Sequence, residues 1–244
     1  MSADSKNSAI VELLGVHKEY PLGHTTVHAL KGINLRLERG EFAALAGPSG
    51  SGKTTVLNLV GCVDTATRGT VRVDGQDTAA LKEKALTTLR LNRLGFIFQS
   101  FNLVSVLDVA QNVELPLLLQ RTLSKAERRK RVEAIIEKVG LTAQLRQRPA
   151  ELSGGQRQRV AIARALVASP ALVLADEPTA NLDSETGQLI IDLMRGLNRT
   201  EGTTFLFSTH DPEVMAHADR VVRLVDGRIA SDDRHPIADP ARVA

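Results

Sequence analysis

The sequence predicts a mixed α/β fold in which helices cover a mostly parallel β-sheet, with a helical insertion in the middle. Two patterns predict it: strand-like alternation dominates residues 10–75, and strands alternate with a helix over residues 170–230. The chain has 244 residues, of which 43% are hydrophobic and 24% are charged. This length supports a sizeable core, and the composition excludes a wholly disordered chain.

The first part of the chain, about 10–75, is predicted to form mainly strands. Apolar and polar residues alternate over 33–38, which is the period of a half-buried strand. A continuous apolar run at 42–46 predicts a buried strand that ends at Gly47. Alternation returns at 71–75 and runs into an Asp-Gly turn signal.

The middle part, about 77–165, is predicted to be mainly helical. Apolar residues recur at helical spacing over 125–139, and Gly140 follows as a stop signal. The third part is predicted to contain, in order, a strand at 172–175, a helix at 185–197, a strand at 203–208 and a hairpin at 221–230.

Charge and composition limit the classes of partner and compartment. The 31 basic and 28 acidic residues leave a net charge of +3, too small to indicate a nucleic-acid partner by itself. The single cysteine cannot form an internal disulfide, which fits a reducing compartment. No run approaches the ~20 apolar residues that cross a bilayer, and residues 1–8 lack the apolar stretch of a secretion signal. We therefore expect a cytosolic chain.

A glycine-rich segment between the strand at 42–46 and an apolar helical run at 56–60 matches the phosphate-binding pattern G-x-x-x-x-G-K-[ST]. Its glycines let consecutive N–H groups face a phosphate, and the following helix adds the positive end of its dipole. The lysine supplies a full charge, and the threonine hydroxyl can ligate Mg²⁺. The segment comprises Gly47, Pro48, Ser49, Gly50, Ser51, Gly52, Lys53 and Thr54.

Two carboxylates follow the buried run at 172–175. Asp176 is the expected metal partner of the phosphate loop, and Glu177 is placed to polarise an attacking water. The alternative is that both residues only cap the strand before Pro178.

A second phosphate-binding element is predicted at Leu152–Gln156. Ser153 can cap a helix that begins near Gln156, and two glycines leave the N–H groups at its positive end unobstructed. Because the chain has one phosphate loop, one interpretation is that this helix tip serves nucleotide held by another copy. The alternative is a turn without function.

Together these residues resemble the ATP-binding cassette (ABC) ATPase family, whose LSGGQ signature matches Leu152–Gln156. The order of phosphate loop, Gln99, signature, acid pair and His210 is also that of the family. The resemblance implies a RecA-like P-loop NTPase core with an antiparallel β subdomain and an inserted α-helical subdomain. It places one domain at 10–230, with core at 10–98 and 166–230, helical subdomain at 99–165, and tails at 1–9 and 231–244.

The resemblance also implies roles for individual residues. Tyr20 would stack on adenine, with a surface aromatic as the alternative, and Gln99 would ligate Mg²⁺ and contact the attacking water. Glu177 would be the general base, and His210 would contact the γ-phosphate. Thr55 joins the nucleotide-binding residues, and Thr54, Gln99 and Asp176 form the metal set. The contacts to the partner's ATP would come from Ser153, Gly154, Gly155, Gln156 and Asp183.

Three further segments, 61–65, 94–99 and 112–117, resemble the LolD/MacB branch of this family. The resemblance implies an ATPase that uses ATP and Mg²⁺, forms a homodimer around the nucleotide and powers a separate membrane permease at the inner face of the membrane. Export, lipoprotein release and mechanotransmission are the activities of that branch. The alternative is a soluble ABC ATPase acting on DNA or ribosomes, but the short span between Lys53 and Ser153 leaves no room for the insertions of DNA-repair members. We expect no nucleic-acid partner.

Two other features have structural interpretations. Cys62 follows the phosphate-loop helix in an apolar setting, which favours a buried thiol. Phe96, Phe98 and Phe101 are typical of core positions, although their place beside Gln99 also fits an apolar pocket for a partner's helix.

Overall fold

The computed structural model describes residues 9–234. The sequence predicts tails at residues 1–9 and 231–244. Residues 1–8 and 235–244 of these tails lie outside the described part. Within the described part, the chain forms ten strands and seven α-helices.

The strands, in chain order, are β1 (Ala9–Leu22), β2 (Thr25–Glu38), β3 (Phe42–Ala46), β4 (Arg68–Val73), β5 (Gln76–Asp77), β6 (Leu94–Ile97), β7 (Leu172–Asp176), β8 (Thr204–Thr209), β9 (Arg220–Val225) and β10 (Arg228–Arg234). The α-helices are α1 (Lys53–Val60), α2 (Glu83–Arg93), α3 (Val109–Gln120), α4 (Lys125–Lys138), α5 (Gly154–Leu166), α6 (Ser184–Glu201) and α7 (Pro212–Ala216).

The strands form two sheets. An antiparallel sheet has the order β2-β1-β4-β5, and a six-stranded sheet has the order β10-β9-β3-β8-β7-β6. Strands β9, β3, β8, β7 and β6 are parallel, and β10 pairs antiparallel with β9 at one edge. The mostly parallel sheet, the antiparallel first part and the helical middle are confirmed.

Strand β3 lies at the centre of the core because both of its faces are buried. Phe42 and Ala44 pack into a cluster with α3, α4, α5 and α6, while Ala43 and Leu45 face a second cluster with α1 and the antiparallel sheet. This is the two-residue alternation of a strand covered on both sides. The strand therefore fixes the start of the loop that follows at Gly47.

Three boundaries differ from the sequence prediction. Strand β6 crosses the region predicted as mainly helical and pairs parallel with β7. Strand β1 includes Ala9, and β10 continues to Arg234 although the tail was predicted from residue 231. The extension of β10 follows from Arg220, whose Nε and Nη2 donate to Asp232 at 2.7 Å each.

The helix starts follow capping chemistry. The side chains of Asp108, Ser124 and Ser153 cap α3, α4 and α5 by each accepting the backbone N–H of the third helical residue. The side chain of that third residue in turn accepts the backbone N–H of the capping residue. The predicted Ser153 cap is confirmed. Within residues 9–234, no helix combines the length and the apolar character that crossing a bilayer requires.

Candidate active site

The phosphate loop joins β3 to α1 and depends on glycine at its two ends. Gly47 and Gly52 have φ of 149° and 106°. A Cβ on Gly47 would lie 2.2 Å from the Leu224 carbonyl oxygen, and one on Gly52 would lie 2.9 Å from that of Ala29. Because both neighbours are backbone, neither can move aside, so the tight loop requires glycine.

Lys53 begins α1 and its side chain is 8% exposed. Its Nζ donates to the carbonyl oxygens of Gly47 at 2.8 Å and Pro48 at 3.1 Å, and lies 3.8 Å from Glu177 Oε1. The ammonium group is thus held at the loop by neutral acceptors and one nearby carboxylate. An anion bound at the loop would compete for the same charge.

A chain of polar groups connects α1 to the ends of β7 and β8. Thr54 Oγ1 lies 3.3 and 3.1 Å from the two carboxylate oxygens of Asp176. Ser208 Oγ donates to Asp176 Oδ1 at 2.6 Å and accepts the backbone N–H of Glu177 at 2.9 Å. Ser208 therefore fixes both acidic residues through one buried hydroxyl.

Glu177 sits where the chain leaves the sheet, with a left-handed φ of 46°. Both of its carboxylate oxygens lie 3.1 Å from His210 Nδ1. Residues with a Cβ rarely adopt a positive φ, and those that do cluster at functional sites. The carboxylate thereby contacts His210 and lies close to Lys53.

These groups line one cavity of about 600 Å³. It brings together many of the predicted site residues, namely Ser49, Gly50, Gly52, Lys53, Thr54, Thr55, Gln99, Asp176, Glu177 and His210. Gly47, Pro48 and Ser51 belong to the loop but not to the lining. Ser51 Oγ is buried and has no hydrogen-bond partner among the described residues.

Tyr20 also lies outside the cavity lining. Its Oη donates to Asp64 Oδ2 at 2.8 Å, and Lys18 Nζ lies 4.7 Å from its ring centroid. Burial, followed by the hydrogen bond to Asp64, raises the pKa of Tyr20. The stacking of this ring on adenine stays a prediction.

The signature segment and Asp183 form a second centre. Gly155 packs so closely on α6 that a Cβ would lie 2.5 Å from Thr186 Cγ2, and Gly154 faces Leu182. Asp183 caps α6 by accepting the N–H of Thr186 at 2.9 Å, and the hydrogen bonds from Thr186 lower the pKa of Asp183. Residues 153–156 and Asp183 do not line the cavity formed by the described part of the chain.

Sequence reasoning missed several residues that organise the site. The sequence places Ser208 only at the end of a strand. A polar residue at the end of a buried strand could have indicated a site residue. Gln158 is fully buried and its Nε2 donates to the Pro178 carbonyl at 2.6 Å. Asn181 Nδ2 donates to the Gln99 carbonyl at 2.9 Å, and no sequence pattern announces that contact.

A family model described as ABC transporter matches residues 30–180, which is more than half of the chain. The chain belongs to the ABC transporter family. It has the ABC ATPase fold, binds ATP and is an ATP-hydrolysing enzyme. The predicted α/β class with a P-loop NTPase core is confirmed.

Several curated relatives of this ABC ATPase carry the names of the predicted branch. The lipoprotein-releasing system ATP-binding protein LolD of Anaeromyxobacter dehalogenans is 48% identical over 225 residues, which are 92% of this chain and 94% of that protein. The macrolide export ATP-binding/permease protein MacB of Mannheimia succiniciproducens is 43% identical over 229 residues. This chain spans 35% of the length of that MacB. The chain is an ATP-binding subunit of the LolD/MacB type.

Solved structures agree with the fold of this ABC ATPase. The dimeric structure of the ABC transporter cassette MJ0796 has a TM-score of 0.86 and 42% identity, and the match covers 93% of this chain and 99% of that one. A dimeric post-hydrolysis state of the same cassette, bound to ADP and Pi, has a TM-score of 0.85.

Proposed function

We propose that two copies of this chain pair head to tail, enclose two ATP molecules and drive a separate membrane permease. Each ATP would lie between the phosphate loop of one copy and the Ser153 helix tip of the other. The observation that carries the proposal is the position of residues 153–156, which form a capped helix N-terminus outside the cavity of their own chain. The similar cassette MJ0796 has been solved as a dimer, which supports a dimer of this chain.

The phosphate loop would bind the triphosphate through its N–H groups, the α1 dipole and Lys53. Thr55, which lines the cavity, follows Thr54 on α1. Tyr20 would stack on adenine.

The residues at the end of β7 fit Mg²⁺, which requires oxygen ligands and keeps waters and phosphates in its octahedron. Thr54 and Asp176 present their oxygens to each other, and Gln99 lines the same cavity. Within residues 9–234 no group of three or more His, Cys, Asp or Glu residues could hold a metal ion by itself. Bound Mg²⁺ would neutralise phosphate charge during transfer.

Glu177 would accept a proton from the water that attacks the γ-phosphorus. A new bond forms between the water oxygen and phosphorus, the bond from phosphorus to the bridging oxygen of ADP breaks, and ADP leaves with that electron pair. His210, held 3.1 Å from the Glu177 carboxylate, would hydrogen-bond an oxygen of the γ-phosphate. Gln99 would orient the attacking water.

ATP would close the dimer because it contacts the closed state from both sides, so its affinity for that state is higher. Hydrolysis removes the bridge to Ser153 of the partner copy and reopens the dimer. The closing and reopening of the dimer would thus be the motion that drives the permease.

An apolar groove of about 540 Å³ supports the permease partner. It is lined by Phe96, Phe98, Leu115 and Leu119 and runs beside the segment that follows Gln99. An apolar groove of this kind accepts an amphipathic helix. The relatives named for lipoprotein release and macrolide export suggest a membrane partner of that class and a cytoplasmic, peripheral location at the membrane.

The test of turnover is Glu177→Gln, with Glu133→Gln as the matched control on the exposed face of α4. Loss of a general base predicts a fall in ATPase rate of about 10²- to 10⁴-fold, with an ATP-dependent dimer accumulating on size-exclusion chromatography. Glu133→Gln should turn over normally. A near-normal rate for Glu177→Gln would contradict its assignment as the base.

The test of the partner class is purification of the tagged chain from detergent-solubilised membranes. An integral membrane protein should co-purify, and substitution of Phe98 by Asp in the groove should release it. Recovery only with ribosomes or DNA would instead favour the soluble alternative, which the relatives do not favour.

A further inference from the structure

The segment after Gln99 has a disfavoured backbone. Phe101 and Asn102 have φ of 62° and 49°, so two consecutive residues with a Cβ lie in the left-handed region. Such residues occur mostly singly, and asparagine tolerates the conformation better than phenylalanine does. A surrounding contact must therefore hold this pair.

Helix α5 supplies that contact. Arg164 Nη2 donates to the Phe101 carbonyl at 2.7 Å, and its Nη1 donates to the Asn102 carbonyl at 2.5 Å. One planar guanidinium thus binds both left-handed residues in a fork geometry that lysine cannot reproduce. Arg157 lies seven residues earlier, on the same face of α5, with its guanidinium carbon 5.3 Å from the Phe101 ring centroid.

Arg164 has no acidic partner in the described part of the chain. Among residues 9–234 it forms no ion pair, and burial lowers the pKa of its guanidinium. A partly buried cation without a carboxylate partner is destabilising unless hydrogen bonds satisfy its N–H groups. The two carbonyl oxygens are the acceptors that offset this cost.

We propose that Arg164 is a positioning residue for Gln99. It holds Phe101 and Asn102, and thereby fixes the segment that follows Gln99 to α5, the helix that Ser153 caps. Asn181 holds the Gln99 carbonyl from the other side. The Gln99 segment and the Ser153 tip consequently move as one body, so the metal side of one ATP site is linked to the partner contact of the other. That functional consequence rests on the proposed roles of Gln99 and Ser153.

The first measurement is hydrogen exchange of the amides of residues 99–103 in the nucleotide-free full chain. Arg164→Met keeps the length of the side chain and removes the fork, so exchange in this segment should accelerate at least tenfold. Arg159→Met is the matched control, because Arg159 also lies on α5 and donates to a carbonyl, that of Val139. It should leave residues 99–103 unchanged. Unchanged exchange in Arg164→Met would overturn the proposal.

The second measurement is rescue by glycine. Arg164→Met should lower the ATPase rate. Asn102→Gly removes the Cβ that disfavours positive φ, so the double variant Arg164→Met/Asn102→Gly should have an ATPase rate at least threefold higher than that of Arg164→Met. A role of Arg164 in helix packing alone predicts no recovery, since glycine then only adds flexibility, and this result would overturn the proposal. If Arg164→Met does not fold, Arg164→Lys takes its place in both measurements.

A parallel Gln99→Ala variant separates the two levels. A normal ATPase rate in Gln99→Ala would contradict the proposed role of Gln99, whereas the exchange result would still decide whether Arg164 holds the segment.

Discussion

At the scale of single residues, one hydroxyl group, that of Ser208, contacts both Asp176 and Glu177. It is fully buried, donates to Asp176 and accepts the N–H of Glu177. Removing it leaves a buried donor without an acceptor, which costs more than the bond itself contributes. The Asp176 carboxylate would at the same time lose one of its two hydroxyl partners.

We expect Ser208→Ala to lower the free energy of unfolding by about 1–3 kcal/mol. The ATPase rate should fall about tenfold, because both acids lose a positioning contact. Ser105→Ala, at an exposed loop position, is the control for both assays. Urea unfolding and steady-state ATPase measurements check the prediction, and a wild-type rate for Ser208→Ala would refute it.

Gly155 poses a steric question at the same scale. A methyl group there meets Thr186 Cγ2 at 2.5 Å, so Gly155→Ala should push the starts of α5 and α6 apart. ATP-dependent dimerisation should weaken at least tenfold, while ATP binding to the single chain should be unchanged. Thr186→Ser removes the opposing methyl and keeps the hydroxyl. The double variant Gly155→Ala/Thr186→Ser should therefore recover dimerisation in analytical ultracentrifugation, and failure to recover would exclude the steric cause.

At the scale of elements, β10 shows why the end of a strand is hard to place from sequence: the predicted hairpin stops at residue 230, but the strand continues to Arg234. Half-buried and exposed residues alternate only as far as Ser231, and the polar residues Asp232, Asp233 and Arg234 are all exposed, so no apolar period marks the end of the strand. Arg220 is buried and binds Asp232 on β10 and Glu41 before β3. The side-chain contacts of Arg220 reach across the hairpin and to a distant segment, and a pattern of adjacent residues cannot reveal them.

The acid dependence of stability should report this element. The hydrogen bond from Arg220 is the largest cause that lowers the pKa of Asp232 in the folded state, against opposing burial. Because the folded pKa lies below the unfolded value, this contribution is full above the unfolded pKa, near 3.8, and is lost as the pH falls through the folded pKa. Asp232→Asn should lower the free energy of unfolding by about 1–2 kcal/mol at pH 7. This value is smaller than for a fully buried pair because Asp232 is 37% exposed and solvent screens the interaction.

The measurement is urea unfolding from pH 7 to pH 2. The stability lost by Asp232→Asn should shrink toward the acid end. Asp233→Asn is the neighbouring control, since among residues 9–234 the Asp233 carboxylate bonds only the Ser231 hydroxyl, and it should follow the wild type at every pH. A pH-independent difference between Asp232→Asn and wild type would contradict the ion pair as its cause.

The local signals in the sequence account for what was predicted. Capping residues, the apolar run of β3 and the glycine-lysine loop act on neighbours in the chain, so their patterns suffice to place β3, α4 and α5 and the phosphate loop. Contacts between distant segments do not follow from such patterns. The Arg164 fork, the Asn181 bond and the Gln158 bond to Pro178 depend on how α5 packs, which only the assembled fold determines.

At the scale of the whole molecule, the proposed pairing of one copy's phosphate loop with the Ser153 tip of the other would make turnover depend on encounter between chains. A single chain would hold ATP from one side only. The ATPase rate per chain should therefore rise with protein concentration and level off once dimers predominate. Light scattering on the same samples checks the assembly state, and a constant rate per chain under conditions where scattering reports monomers would contradict the proposal.

Cys62 is the single cysteine; it is 4% exposed, and burial raises the pKa of its thiol to about 11. It will therefore react slowly with maleimides at neutral pH. The chain also contains no tryptophan. Spin labels or fluorophores can consequently be attached at chosen surface positions against a silent background, which allows the approach of two copies to be followed in real time.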